Sequence, residues 1–422
     1  MNENGTLYDA VIVGAGPAGS MTAYRLAKAG ARVLITDAKT FPREKPCGGG
    51  VQQKACRNIP FAWHAVVRGT LQAVTFSLNF GDRFTKTHSD PLVYSVLRSE
   101  FDEYLLLAAE EAGASVRQGV KTLEVADQRT HVVVRTDKGD IRCRFVVGAD
   151  GANSTVGRCL NRRDQFFWQA GLYCEVPSDY IEPDGVHPDC MRIDWGTLPS
   201  GYAWVFPKSG SCNIGVGGPS AFGRLLRPYL AQFLKAEHIL RPAASEHVRF
   251  SGHQLPTLTS QTRLTGPRIL LVGDAAGLVE PFFGDGISYA CHSARLASEV
   301  IVENLDKGEP LLGAYDQRVR SEIGSEIYWS RKLMSIAVTF PQAMYSVFRY
   351  RDSVWQTFCR ILQGDSSFSE LKKQVLGPLG LLWSPISGFV DLCDRRILAG
   401  DTGRKPWIRA VDGRLASILA RS

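Results

Sequence analysis

No Cys-x-x-Cys pair occurs among the ten cysteines of this 422-residue chain. Their scattered positions supply neither the ligand spacing of a zinc site nor a disulfide framework, so no metal is expected. Reduced thiols in a cytosolic setting are the simplest account. Also lacking is any run of about 20 uncharged apolar residues, which argues against an ordinary membrane span. Ala10 to Val13, the first apolar stretch, follows Met-Asn-Glu-Asn rather than a basic segment and leads into glycines rather than a cleavage site. A secretory signal is therefore not expected, and the chain reads as cytoplasmic. The net charge is +7, yet Lys and Arg are spread without a basic run, so a nucleic-acid partner is not expected either. Internal repeats and low-complexity segments are absent.

One stretch comes near to a membrane element. Val375 to Val390 is uncharged but broken by Gly377, Pro378, Gly380, Pro385 and Gly388, with Lys372, Lys373, Arg395 and Arg396 flanking it. That pattern suits a segment lying peripherally in the anionic inner face of a membrane; a buried helical hairpin fits it equally.

At this length two or three units are expected. Tyr8 to Val13 reads as a buried parallel strand, and Gly14-Ala15-Gly16-Pro17-Ala18-Gly19 follows at once, leading into a helix to about Ala29. The first glycine allows a tight turn, the second lets backbone approach a pyrophosphate, and the third lets helix and strand pack closely. Phosphate charge is met by the helix N-terminus. A second strand, Arg32 to Thr36, delivers Asp37 where an acid accepts hydrogen bonds from a ribose diol. No arginine stands beside it for a 2′-phosphate, so FAD or NAD is favoured over NADP.

From about Gln53 the pattern changes. Val74, Phe76, Leu78 and Phe80 alternate with polar residues, the period of a half-buried antiparallel strand. A helix after Arg98 carries Phe101, Leu105, Ala108 and Ala109 on one face. Strands are expected at Ser115 to Val125 (with Val120 near its middle), His131 to Arg135 and Ile141 to Val147, the last ending in an Asp150-Gly151 turn. Phe166 to Thr262 offers short strands at Gly171 to Val176, Cys190 to Trp195, Tyr202 to Phe206, Cys212 to Val216 and His247 to His253, hence a mainly antiparallel sheet. A buried strand then leads to Gly273-Asp274, and Gly284-Asp285-Gly286-Ile287 opens a long helix to about Leu305. Asp274 suits a ribityl hydroxyl, although helix capping would equally explain it. The expected class is α/β, α+β overall. A Rossmann-like FAD-binding domain (1–64, 92–165, 265–308) is interleaved with an antiparallel-sheet substrate domain (65–91, 166–264), and a helical region (309–422) follows.

Two stretches stand apart. Pro42 to Gly50 presents Cys47 ahead of Gly48, Gly49 and Gly50, which let backbone approach a flat ring; a turn holding an inert buried thiol is the plainer reading. Pro199 to Pro207 places Tyr202, Trp204 and Phe206 on one side of a strand, an arrangement that also describes an ordinary core.

The Gly14 loop, the Asp150-Gly151 turn and the Gly273-Asp274 turn, in that order, resemble flavoproteins of the p-hydroxybenzoate hydroxylase fold class. Within it, P-x-x-x-x-C-G-G-G (Pro42 to Gly50) and P-x-x-Y-x-W-x-F-P (Pro199 to Pro207) resemble the geranylgeranyl reductase family, which saturates double bonds of polyprenyl chains using reduced FAD. The resemblance covers about Tyr8 to Leu305, and more faintly Ile361 to Leu376. It implies that Cys47, Gly48 and Gly50 lie against the isoalloxazine, and that Tyr202, Trp204, Phe206 and Phe282 line a prenyl tunnel. FAD contacts are implied at Gly14, Gly16, Gly19, Ser20, Asp37, Arg98, Val120, Asp274, Gly286 and Ile287. Glu280 departs from the pattern, standing where related sequences often carry Asn, and a carboxylate near the flavin would alter its potential or the choice of substrate.

On this reading Cys47 is the candidate proton donor, and Tyr202 and Trp204 stabilise developing positive charge on the alkene. Partners are a prenyl substrate (diphosphate, lipid, quinone or pigment) and an electron donor, NAD(P)H or ferredoxin. Without a second GxGxxG in βαβ context, no separate nicotinamide domain is expected. The rivals are a flavin monooxygenase or halogenase of the same fold, and a non-enzymatic flavin or prenyl-lipid binder. The W-x-W-x-I-P segment of halogenases is matched only partly, since Tyr202 stands at its first tryptophan and Phe206 at its isoleucine.

Overall fold

A computed structural model describes residues 7–160, 165–183, 185–195, 201–242, 244 and 248–376. Leu7–Val13 forms the expected first strand, with Ala10, Val11 and Ile12 fully buried. It runs parallel to Val33–Asp37 on one side and Gly139–Gly148 on the other. Ser115–Gln118 extends this sheet beyond Val33–Asp37; Val132–Thr136 and Thr122–Asp127 extend it on the far side, and Ile269–Leu271 pairs with Gly139–Gly148. Burial on both faces explains why its central strands read as unbroken apolar runs.

Helices Pro17–Lys28, Arg98–Glu111 and Ile287–Val302 pack side by side over this sheet. Gly14 turns with φ +100°, a conformation that disfavours a side chain. Behind it, a Cβ on Gly19 would lie 1.8 Å from the Gly14 carbonyl oxygen, so the third glycine of the motif is a steric requirement of strand–helix packing.

A second seven-stranded sheet runs Ser251–Leu258, Phe166–Pro177, Ser211–Pro219, Tyr202–Lys208, Cys190–Trp195, Ala73–Leu78, Arg83–Thr87. It is antiparallel except where Cys190–Trp195 meets Ala73–Leu78 in parallel. Along Tyr202–Lys208 the pleat sends Ala203 and Val205 to a core with helix Gly223–Ala236, and Tyr202, Trp204 and Phe206 to the opposite face. A small sheet of Gly50–Gln52, Val93–Val96 and Val67–Leu71 bridges the two large ones.

Several expectations needed correction. Helix Gly223–Ala236 was not anticipated, although Leu226, Tyr229, Leu230 and Phe233 have helical spacing; Pro228 inside it is ordinarily a breaker. The single strand expected from Ser115 to Val125 is two, split by a turn at Gly119 (φ +67°) that leaves Val120 buried at the break. The strand expected at His247 to His253 runs Ser251–Leu258, with His247 outside the described residues.

Helices Gly313–Val319, Ser325–Thr339, Pro341–Tyr350, Asp352–Gln363 and Phe368–Leu376 follow, and from the second of them onward their apolar faces pack on Leu71, Val74, Phe76 and Val93. None of the described helices is long and apolar enough to cross a membrane. Val375 to Val390 falls almost wholly outside the described residues, as do Pro199 and Ser200 of the aromatic motif.

Gly19→Ala drives a methyl group into the Gly14 carbonyl. The expected outcome is a loss of about 2 kcal/mol or more of stability together with loss of bound flavin. Thermal melting and the flavin absorbance of the purified variant test this, and an unchanged melting temperature with full flavin content would show that the loop can relax.

Candidate active site

A cavity of about 540 Å³ runs between the carboxyl ends of the first sheet and the aromatic face of the second. Gly14, Gly16, Asp37 and Val120 line one end, where the helix Pro17–Lys28 begins without a side-chain cap. That open N-terminus leaves backbone N–H groups and the positive end of the helix dipole free for an anion. Asp37 accepts a hydrogen bond from Ala15 N at 2.8 Å and another from Lys39 N at 2.8 Å, so its carboxylate also fastens the loop. Gly19 and Ser20 are not in the lining. Ser20 is fully buried and donates to Ala15 O at 3.0 Å, supporting the loop from behind.

Arg98 lines the middle of the cavity but is not a free cation. It donates through Nε and Nη2 to both oxygens of buried Asp102 at 2.7 Å each. Arg43 lies 3.3 Å from the same Asp102. Asp150 turns back on its own turn, accepting from Ser154 Oγ, Thr155 N and Val156 N, and burial pushes its carboxyl up.

Asp274 faces the cavity beside Gly286 and Ile287. Lys45 Nζ donates to its Oδ2 at 2.9 Å, and His253 Nε2 lies 3.5 Å from the same oxygen. Burial alone would push this carboxyl up; Lys45 and His253 overcome it and hold the group well below the usual carboxylate range. Sequence reading missed both partners. Lys45 had a usable signal, standing two residues before Cys47, but His253 arrives through sheet pairing and had none.

Cys47, Gly48 and Gly50 lie directly against the aromatic strand. A Cβ on Gly48 would fall 3.0 Å from the Phe206 ring and 3.3 Å from Trp204 Nε1; one on Gly50 would fall 3.3 Å from Phe206. Gly49 has φ +73°, and a Cβ there would meet Val96 O at 2.2 Å. Trp204 in turn needs Gly215 beneath it, where a Cβ would sit 2.2 Å from the indole. The indole N–H donates to Asn213 Oδ1 at 2.8 Å, and Asn213 Nδ2 donates to Cys47 O at 3.2 Å. One asparagine thus ties the cysteine loop to the tryptophan. Cys47 Sγ accepts from Gly49 N at 3.3 Å. Tyr202 donates its hydroxyl to Phe283 O at 2.6 Å, and burial pushes that hydroxyl's pKa up. Phe282, Phe283, Phe358 and Leu362 close the apolar arm.

Glu280 does not point at this cavity. It is fully buried, and its carboxylate accepts from Phe282 N at 2.5 Å and Phe283 N at 3.0 Å, folding its own loop and aiming the two phenyl rings. Burial pushes the carboxyl up to about 7, against the opposing pull of Lys54 and the two N–H groups. Lys54 itself pairs with Asp285 at 3.1 Å.

Residues 7–168 match the FAD binding domain family. The menaquinone reductase of Mycobacterium tuberculosis is 32% identical over 69% of this chain and 76% of its own length. Digeranylgeranylglycerophospholipid reductase 1 of Methanopyrus kandleri is 32% identical over 77% of this chain and 89% of its own. A geranylgeranyl bacteriochlorophyll reductase-like structure from Thermoplasma acidophilum superposes with a TM-score of 0.68 at 20% identity, over 97% of this chain and 99% of that one. Fold and relatives define an FAD-dependent oxidoreductase. The chain belongs to the geranylgeranyl reductase family.

The raised Glu280 carboxyl has a signed consequence. Between about pH 4.5 and 7 the folded protein holds a proton that the unfolded chain has released, so this group lowers stability as pH rises through that window. Relative to Glu280→Gln, the wild type should lose about 2 to 3 kcal/mol between pH 5 and 7.5. Paired unfolding curves at both pH values measure it; a gap that ignores pH would return the carboxyl to its ordinary range.

Proposed function

We propose that this protein saturates isolated C=C bonds of a polyprenyl chain. The observation that carries the reading is the apolar arm in which Tyr202, Trp204 and Phe206, packed against the Cys47 loop, line a cavity closed by Phe282 and Phe283. Family membership supports prenyl-chain reduction at the general level. The residues present fit FAD: an uncapped helix N-terminus for the pyrophosphate, and at the other end a backbone loop that no side chain could replace. We assign Gly14, Gly16, Asp37, Arg98 and Val120 to the nucleotide half of the cofactor, with Gly19 and Ser20 shaping the loop. Asp274, Gly286, Ile287, Gly48 and Gly50 are assigned to the flavin half.

When bound and reduced, FAD supplies the hydride. An isolated trisubstituted alkene has no carbonyl to accept electron density, so proton delivery must lead or accompany that transfer. Cys47 is the proton donor or holds a water that serves as one. The Tyr202 hydroxyl is unsuited to this, being committed to Phe283 O and made less acidic by burial. Tyr202 and Trp204 instead present aromatic faces to the tertiary carbon as it gains positive charge, contributing roughly 0.5 to 2 kcal/mol each. Trp204 is held for this by Asn213 on one edge and glycines beneath. The apolar walls exclude water that would trap the charge. A diphosphate, an ether lipid, a prenylated quinone and a pigment all present the same alkene, and either NAD(P)H or ferredoxin can supply electrons to such a centre.

Expression in a host lacking such a reductase, followed by mass spectrometry of its prenyl lipids, tests the reading, since each saturation adds two hydrogens; unaltered lipids would end it. Cys47→Ala should keep FAD and lose about a hundredfold or more in turnover, and full turnover by the alanine variant would remove the thiol from the chemistry. Asp274→Ala should weaken FAD about tenfold in a fluorescence titration. A variant purified fully yellow that resists dilution would contradict the assignment.

A further inference from the structure

Two buried glutamines interrupt the apolar arm. Gln52 and Gln169 both line the cavity, at 6% and 4% exposure. Gln169 donates through Nε2 to Pro281 O at 3.3 Å, which fixes its amide and leaves Oε1 buried with no hydrogen-bond partner among the described residues. Gln52 Oε1 is likewise buried and unpartnered. Gln52 shares a strand face with Gly50, where a Cβ would fall 3.3 Å from both Phe206 and Val93, so its side chain leaves the strand on the side of the apolar arm. Buried amides are almost always hydrogen-bonded, and an oxygen left unpartnered is a standing cost to the fold. Both residues line the one cavity, and a ligand bound there would supply the partner that their amides lack.

The charges of the arm restrict that ligand. Lys45 is drawn onto Asp274 and Arg98 onto Asp102, and behind the wall Lys54 pairs with Asp285 and Lys208 with Glu175. A multiply charged headgroup would be desolvated against cations already neutralised. A neutral hydroxyl or carbonyl would instead find an amide made for it, since glutamine offers both donor and acceptor.

We propose that Gln52 and Gln169 form a hydrogen-bonding subsite for an uncharged, hydroxyl- or carbonyl-bearing headgroup of the prenyl substrate. The proposal rests on reading the arm as a prenyl channel. The test is equilibrium binding to the oxidised holoenzyme, followed by perturbation of the flavin spectrum, with three C20 tetraene probes: a geranylgeranyl phenol, geranylgeranyl diphosphate and the headless hydrocarbon. The phenol should bind at least tenfold more tightly than the hydrocarbon. Gln52→Leu and Gln169→Leu should each remove about fivefold to tenfold of the phenol affinity, with hydrocarbon binding and FAD retention unchanged. Equal binding of phenol and hydrocarbon would overturn the subsite, as would tightest binding of the diphosphate or FAD loss in both variants, which would assign the amides to the cofactor. Because binding is read without turnover, a protein that binds the phenol through these amides yet saturates no chain would end the reductase reading and leave the subsite standing. The converse result would do the opposite.

Discussion

The closeness of the Cys47 loop to the aromatic strand is the constraint from which the rest of the site follows. Without Cβ atoms at Gly48 and Gly50, backbone comes within van der Waals reach of Phe206 and Trp204; at Gly49 no side chain of any size fits beneath the Val96 carbonyl. The opposite side obeys the same rule, since Gly215 clears the space into which the Trp204 indole settles. Two surfaces in close contact are the result, and Asn213 fixes their alignment by bonding both the indole N–H and the Cys47 carbonyl. The missing Cβ atoms allow the contact, and hydrogen bonding holds it.

Three acidic side chains stand around the cavity beside that contact. Asp37, Asp150 and Asp274 all end strands or turns of the first sheet, and each is already bonded within the protein: to the glycine loop, to its own turn, and to Lys45 and His253. Carboxylates have lone pairs enough to hold a loop and still accept from a ribose or ribityl hydroxyl. Glu280 differs. Both of its oxygens go to successive backbone N–H groups, so it shapes the closed end of the apolar arm through Phe282 and Phe283 and does not itself line the cavity.

Polar groups in the apolar arm divide into the satisfied and the unsatisfied. Tyr202 and Trp204 have partners that hold their rings still, which suits surfaces meant to present a face to a passing charge. Gln52 and Gln169 retain unpartnered oxygens, which suits surfaces meant to receive something. A single cavity thereby contains polar groups of both kinds.

Much of this was legible in the chain alone. The βαβ start, its three glycines, Asp37, and the alternation that sets Tyr202, Trp204 and Phe206 on one strand face depend on neighbours a few residues apart, and local backbone geometry enforces them. Helix Gly223–Ala236 was hidden by Pro228, and the break at Gly119 by an apolar run that looked continuous. What the chain could not disclose was which distant groups would meet. His253 beside Asp274, Asn213 between Cys47 and Trp204, Arg98 committed to Asp102, and Glu280 turned away from the cavity are matters of sheet register and helix packing. Burial and Coulomb interaction act through space, so the protonation states and free valences of the site belong to the folded arrangement, while the motifs that build it belong to the sequence.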